Sequence, residues 1–159
     1  MTGKLAIVGP GASGKDYLRK RFMDRSFTFG VSCTTRFPRE GEIEGEDYFF
    51  LTDEEFETKI KLGELVEWQS FKDWKYGITA VEFNRCDVMI LNAEAVDLLS
   101  DEYRNRLFVI YLDIDEETRR ERLSGRDDIN DEIERRINAD NDQFRNFSNY
   151  DCIITNNNF

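Results

Sequence analysis

Short apolar runs alternate with segments of helical period along this chain. Lys4–Val8, 87–91 and Leu107–Leu112 are almost continuously apolar, as strands buried on both faces of a parallel sheet are. Each leads into a helical pattern: 15–25, where Leu18 and Phe22 stand four apart; 94–99; and 116–123, closed by Gly125. Residues 29–33 read as a second strand, 132–144 as a further helix and 152–155 as a last strand. This order predicts an α/β fold, a parallel sheet flanked by helices.

Residues 32–79 interrupt the alternation. The stretch 34–46 is polar and glycine-punctuated, hence a loop, and 47–51 reads as a strand. Thr52-Asp53-Glu54-Glu55 is a capping box whose helix runs to Leu62 and stops at Gly63. Leu65–Phe71 alternates apolar and polar positions, as a half-exposed strand does. No repeat or linker is visible, and Asn156-Asn157-Asn158 is the one biased stretch. The expectation is a single domain over 1–159. Its core comprises 1–31 and 80–159, and an inserted α+β subdomain, 32–79, sits at the mouth of the sheet, where such folds bind ligands.

Between the first run and the first helix lies Gly9-Pro10-Gly11-Ala12-Ser13-Gly14-Lys15, a G-x-x-x-x-G-K pattern in the context a phosphate-binding loop requires. Glycines let backbone N–H groups turn inward around an anion, the helix points its positive end the same way, and Lys15 adds a full charge. Residues 9 and 11–16 are therefore candidate ATP ligands: Gly9, Gly11, Ala12, Ser13, Gly14, Lys15 and Asp16. Asp16 stands where a Ser or Thr ordinarily ligates Mg²⁺. A carboxylate is also a hard ligand, so Asp16 is a candidate for the metal.

Composition narrows the chemistry. The net charge of -11 argues against nucleic acid as a partner and draws attention to local basic clusters. Arg119, Arg120, Arg122, Arg126, Arg135 and Arg136 either gather near anions or form a solvated face paired with Glu116, Glu117, Glu121 and Glu132. Three scattered cysteines and no histidine make a zinc site, a disulfide framework and triad hydrolysis poor expectations, and they fit a reducing, cytoplasmic setting. Phosphoryl transfer survives, because it depends on positioning and charge stabilisation. No run is long enough to span a membrane, and Met1-Thr2-Gly3-Lys4 leads straight into a strand, so no signal peptide is expected.

A second anion site is readable in Thr34-Thr35-Arg36-Phe37-Pro38-Arg39-Glu40-Gly41-Glu42. Arg36 and Arg39 can converge on one phosphate through planar paired donors, and Tyr48 adds a phenol; the alternative is an exposed basic turn. This segment resembles the acceptor region of guanylate kinases. The resemblance continues through Leu65-Val66-Glu67-Trp68, Tyr76-Gly77, Leu123-Ser124-Gly125-Arg126, Arg136 and Tyr150-Asp151-Cys152-Ile153-Ile154-Thr155-Asn156.

The resemblance implies a P-loop kinase fold and transfer of the γ-phosphoryl group of ATP, with Mg²⁺, to GMP or dGMP. It implies that Arg36, Arg39, Tyr48 and Tyr76 hold the acceptor's phosphate, that Ser32 and Glu67 read its base, and that Asn156 lies beside the ATP adenine. Lys15, Arg126 and Arg136 are the implied catalytic charges, the two arginines carried on a lid at about 124–136. Asp16, and Asn92 where the family has an aspartate, form a linked departure around the metal, and Glu94 keeps a carboxylate near the acceptor. Ile78 replaces a base-contacting hydroxyl that Thr79 could supply if the loop shifted. That leaves open a kinase for another (deoxy)nucleoside monophosphate; a non-catalytic interaction module is the alternative of a different class. The family's closing helix is missing after the last strand, and a monomer or a homodimer covering that face is expected.

Overall fold

The computed structural model describes residues 3–71, 73–125 and 130–159. In chain order the elements are β1 Lys4–Val8, α1 Lys15–Met23, β2 Phe29–Gly30, β3 Cys33–Thr34, β4 Phe49–Phe50, α2 Asp53–Lys61, β5 Leu65–Phe71, β6 Trp74–Thr79, α3 Ala80–Arg85, β7 Val88–Ile90, α4 Ala93–Leu98, α5 Asp101–Arg104, β8 Leu107–Leu112, α6 Glu116–Ser124, α7 Asn130–Phe144 and β9 Cys152–Ile154.

Five strands form one sheet in the order β2-β7-β1-β8-β9, and every pairing in it is parallel. The continuous apolar runs follow from this arrangement. Ala6 and Val8 of β1 face Phe83, Met89, Val96 and Val109, while Ile7 faces the other way, toward Val88, Leu112 and the α1 side chains Leu18 and Phe22. Both faces are covered by helices, so no position of β1 can afford to be polar apart from Lys4. Its ammonium donates to the Asn84 and Cys86 carbonyls at the strand's entrance.

The second sheet, order β4-β3-β6-β5, is built from residues 33–79. Its long pairing is the antiparallel β5–β6 ribbon. The capping box forms as read: the Glu55 N–H donates to Thr52 Oγ1, and the Thr52 N–H donates to Glu55 Oε2 at 2.8 Å. Gly63 then takes a left-handed φ of 66° past the end of α2.

Several expectations need correction. Residues 29–33 are not one strand. β2 pairs with β7 in the parallel sheet, and after Val31-Ser32 the chain crosses to the other sheet as β3. Gly30 marks the crossing, because a Cβ there would lie 2.7 Å from Cys86 Sγ. β6, α3 and α5 are additions. Gly77 in the middle of β6 looks like a breaker, yet its φ is not left-handed. A Cβ on it would lie 2.8 Å from the Glu67 carbonyl, so the glycine serves close approach of the two strands. Thr79 is committed to α3, where its hydroxyl accepts the Glu82 N–H. Among the described residues no helix is long and apolar enough to cross a membrane.

Candidate active site

The loop after β1 turns sharply into α1. Gly14 adopts φ 98° and Ala12 φ 58°, the left-handed conformations that aim consecutive N–H groups to one side. Gly9 has no room for a side chain: a Cβ would lie 2.9 Å from the Leu112 carbonyl. Ser13 is fully buried, and its hydroxyl has no protein partner. Lys15 folds over the loop, donating to the Gly9 and Pro10 carbonyls at 2.7 and 2.8 Å. The Gly11 N–H donates to Asp140 Oδ2 of α7 at 2.9 Å, so one loop donor is met by a carboxylate. The Asp140 oxygen also lies 3.5 Å from the buried Arg119 guanidinium.

Three cavities open around this loop, and Lys15 lines all of them. The first, about 610 Å³, is bounded by the loop, Asp16, Arg122 and the segment 157–159. Arg122 buckles it together, donating to the Ala12 carbonyl at 3.0 Å and to the Asn157 carbonyl at 2.8 Å. The structure brings Asn157, Asn158 and Phe159 to this wall, while the Asn156 amide oxygen accepts the Asn158 N–H and shapes the turn.

The second cavity, about 580 Å³, joins Lys15 and Asp16 to Ser32, Arg36, Arg39 and Tyr48. The basic turn is divided: Arg36 is drawn in, whereas residues 37–40, Arg39 among them, are exposed. Arg36 is 7% exposed and meets Glu42 in a two-pronged bond of 2.9 and 3.0 Å, while the Arg39 N–H donates to the same carboxylate. Burial pushes the Glu42 carboxyl up, but the Arg36 bond and the Arg39 N–H outweigh it and hold it below the usual range. The Tyr48 ring lies 5.5 Å from the Arg36 guanidinium carbon and edge-on to Tyr76 at 6.1 Å.

The third cavity, about 290 Å³, lies between β5, β6 and α7, and shares Lys15, Ser32 and Tyr48 with the second. Glu67 projects into it from β5 and is 6% exposed, with Oε2 lacking any protein donor. Burial, reinforced by the charge of Glu94, pushes its carboxyl up to about 8. Glu94 itself is exposed on α4 and acts at a distance. Asn92 lines the same cavity but spends its amide oxygen capping α4, on the Ala95 N–H at 2.7 Å. Ile78, expected where a hydroxyl would touch the base, is fully buried in the core cluster with Phe83 and Cys86. Neither it nor Thr79 reaches the cavity lining.

The arginine group divides. Arg120 pairs with Glu116 and Glu134, and Arg135 with Glu132, as a solvated face does, while Arg119 and Arg122 are drawn to the phosphate loop. Arg136 stands on α7 with Glu132 at 3.4 Å. Arg126, the other expected catalytic arginine, lies outside the described residues, as does part of the expected lid. The sequence reading missed Gln69, Arg122 as a loop buckle, and Asp140. An Asp on a helix distant in sequence gives no signal, whereas Gln69 could have been found from its i+2 relation to Glu67.

The family model described as "Guanylate kinase" matches residues 1–159. Among curated proteins, the guanylate kinase of Geobacter sulfurreducens is 35% identical over 162 residues, with 96% of this chain and 80% of the relative covered. That of Geobacter metallireducens is 32% identical over the same shares. That of Malacoplasma penetrans is 34% identical over 169 residues, covering 97% and 85%. The solved guanylate kinase from Anaplasma phagocytophilum superposes with a TM-score of 0.68 at 22% identity, over 98% of this chain and 78% of that one, a likeness of fold.

Proposed function

Since the chain belongs to the guanylate kinase family, we propose that it transfers the γ-phosphoryl group of ATP to GMP or dGMP, giving ADP and GDP or dGDP. One observation carries the reading: Lys15 stands where a cavity on the phosphate loop meets two cavities lined by Arg36, Arg39, Tyr48 and Glu67. An acceptor phosphate on the arginines and a donor phosphate on the loop then share one cation.

The acceptor's phosphate oxygen attacks the γ-phosphorus as the bond to the ADP oxygen breaks; no covalent enzyme intermediate forms. Residues 9–15 hold the donor phosphates through backbone N–H groups and the Lys15 ammonium, which leaves the Gly9 and Pro10 carbonyls for them. Arg36, Arg39, Tyr48 and Tyr76 hold the acceptor phosphate, which competes with Glu42 for the guanidinium. Glu67 and Ser32 read the base. Arg126 and Arg136 neutralise charge on the moving phosphoryl group. The divided chain, core 1–31 and 80–159 with insertion 32–79 and lid 124–136, closes over both nucleotides and excludes water.

Among the described residues no group of three or more His, Cys, Asp or Glu could hold a metal ion. Asp140 at the loop is already engaged by the Gly11 N–H, and Asp16, which lines the cavities on the loop, fits a Mg²⁺ ion held mainly by phosphate oxygens. When bound, Mg²⁺ would neutralise charge on the β and γ phosphates. Asp16 would hold it from the protein side, and Asn92, the second candidate, would first have to give up the helix cap that its oxygen makes. The cytoplasmic setting read from the free thiols belongs to the same proposal.

The test is ADP release with ATP, Mg²⁺ and a panel of nucleoside and deoxynucleoside monophosphates. Turnover with GMP or dGMP, in preference to adenine and pyrimidine acceptors, is expected. A folded protein without acceptor-dependent turnover would be an interaction module, and a preference for another base would reassign the acceptor.

A further inference from the structure

β5 presents one face to the third cavity. Glu67, Gln69 and Phe71, at i, i+2 and i+4, all line it, while Trp68 turns outward. Gln69 is 5% exposed, and its Oε1 has no protein donor. It stands beside Glu67, whose Oε2 is orphaned in the same way. A buried acceptor without a donor is unfavourable, and two on one strand face make the cavity wall deficient in hydrogen-bond donors. The missing donors are those of a ligand.

The count of donors names the ligand's feature. A guanine edge offers three N–H bonds, one at N1 and two on the 2-amino group. The Glu67 carboxylate has two oxygens facing one way, enough for N1–H and one amino hydrogen. The remaining amino hydrogen needs a further acceptor. Gln69 is displaced by two residues along the strand, roughly 7 Å in the backbone, a gap that its longer side chain can lean across. We propose that Gln69 is a specificity-determining residue, whose amide oxygen accepts the second hydrogen of the acceptor base's 2-amino group. This rests on the kinase reading above, and it deepens that reading from "guanine" to the particular group recognised. Hypoxanthine, which keeps N1–H and lacks the 2-amino group, gains nothing from Gln69.

The experiment compares GMP with IMP as acceptors for the wild type, Gln69→Met and Gln69→Ala. The readouts are kcat/KM by ADP release and affinity by equilibrium titration of each nucleotide. The wild type should prefer GMP to IMP by at least about tenfold. Both variants should lose about tenfold toward GMP, the worth of one buried hydrogen bond, and stay within about twofold of wild type toward IMP. The GMP:IMP ratio is taken within each protein, so a partly unfolded variant still reports it, and Gln69→Met keeps the side chain's length should the alanine variant fail to fold. Equal losses toward both nucleotides, or none toward either, overturn the inference. The kinase reading fails separately: a wild type that binds GMP in preference to IMP but transfers no phosphoryl group refutes catalysis, and Gln69 is then judged on the titration ratio alone. A wild type that binds the two equally, or binds neither, overturns the role of Gln69.

Discussion

The phosphate cradles and the base cavity are finished in opposite ways. Where phosphates are expected, several donors already have acceptors within the chain, although the buried Ser13 hydroxyl does not. Gly11 donates to Asp140, Lys15 to two loop carbonyls, and the Arg36 guanidinium and the Arg39 backbone N–H to Glu42. In the neighbouring cavity, Glu67 Oε2 and Gln69 Oε1 are buried with no donor at all. A phosphate entering a cradle exchanges one anion for another, so the gain is partial and little base information is conveyed. A base entering the donor-deficient cavity satisfies groups that nothing else can reach. Missing a buried partner costs more than making one gains, so discrimination is strongest in that cavity.

The comparison is broken most forcefully at the residue the cavities share. Lys15→Ala should reduce kcat by roughly 10³-fold with any acceptor and leave the fold intact, as read by circular dichroism. A loss confined to one acceptor would mean the cation serves only one side. Next in size, Glu67→Gln should lower kcat/KM for GMP by about 10²-fold, the worth of hydrogen bonds to a charged group, with a smaller loss for acceptors that present fewer donors. Equal losses for every base would refute its reading role.

The same residue predicts a pH dependence. With its carboxyl pushed up to about 8, Glu67 is mostly protonated in the free protein at neutral pH and accepts poorly. The kcat/KM for GMP should therefore rise as pH increases through about 8, and Glu67→Gln should lack that limb. Stability runs the other way. The unfolded chain loses this proton near its ordinary value of 4.5, whereas the native protein keeps it to about 8. The native state thus binds more protons in between, and stability is lost as pH rises across that window. Glu67→Gln should melt several degrees above the wild type at pH 8.5 and close to it at pH 4.5.

A smaller effect sharpens the metal side of the comparison. Asp16→Ser and Asn92→Asp should each cost about tenfold in kcat at limiting Mg²⁺, and the double variant should recover most of it, because total charge around the phosphates is restored. Purely additive losses would separate the two positions. Least of all, Thr52→Ala should remove about 1 kcal/mol of stability through the α2 cap, lowering the melting temperature by about 2–4 °C without changing turnover.

Features governed by local chemistry were legible in the sequence. The β1 and β8 runs, the glycine loop into α1, the Thr52–Glu55 box and the Gly63 stop each follow from a few adjacent residues, and the structure has them where they were expected. What was not legible depends on distant partners. β6 hides behind Gly77, whose purpose is the Glu67 carbonyl on the neighbouring strand. Residues 29–33 divide because Cys86 and Ile78 crowd Gly30 from elsewhere in the chain. Asp140 reaches the phosphate loop across 129 positions, and no periodicity announces it. Ile78 aligned with a base contact by motif and lies opposite Glu67 across the β5–β6 pairing, but its side chain is taken up by core residues from elsewhere in the chain, Phe83 and Cys86 among them.

The most direct measurement follows the phosphorus itself. ATP labelled in its γ-phosphoryl group is mixed with GMP, Mg²⁺ and the protein, and the label is traced in a single turnover. The account predicts that it passes into the β position of GDP, with almost none in inorganic phosphate. Label released as inorganic phosphate, or retained in ATP whatever the acceptor, would contradict it.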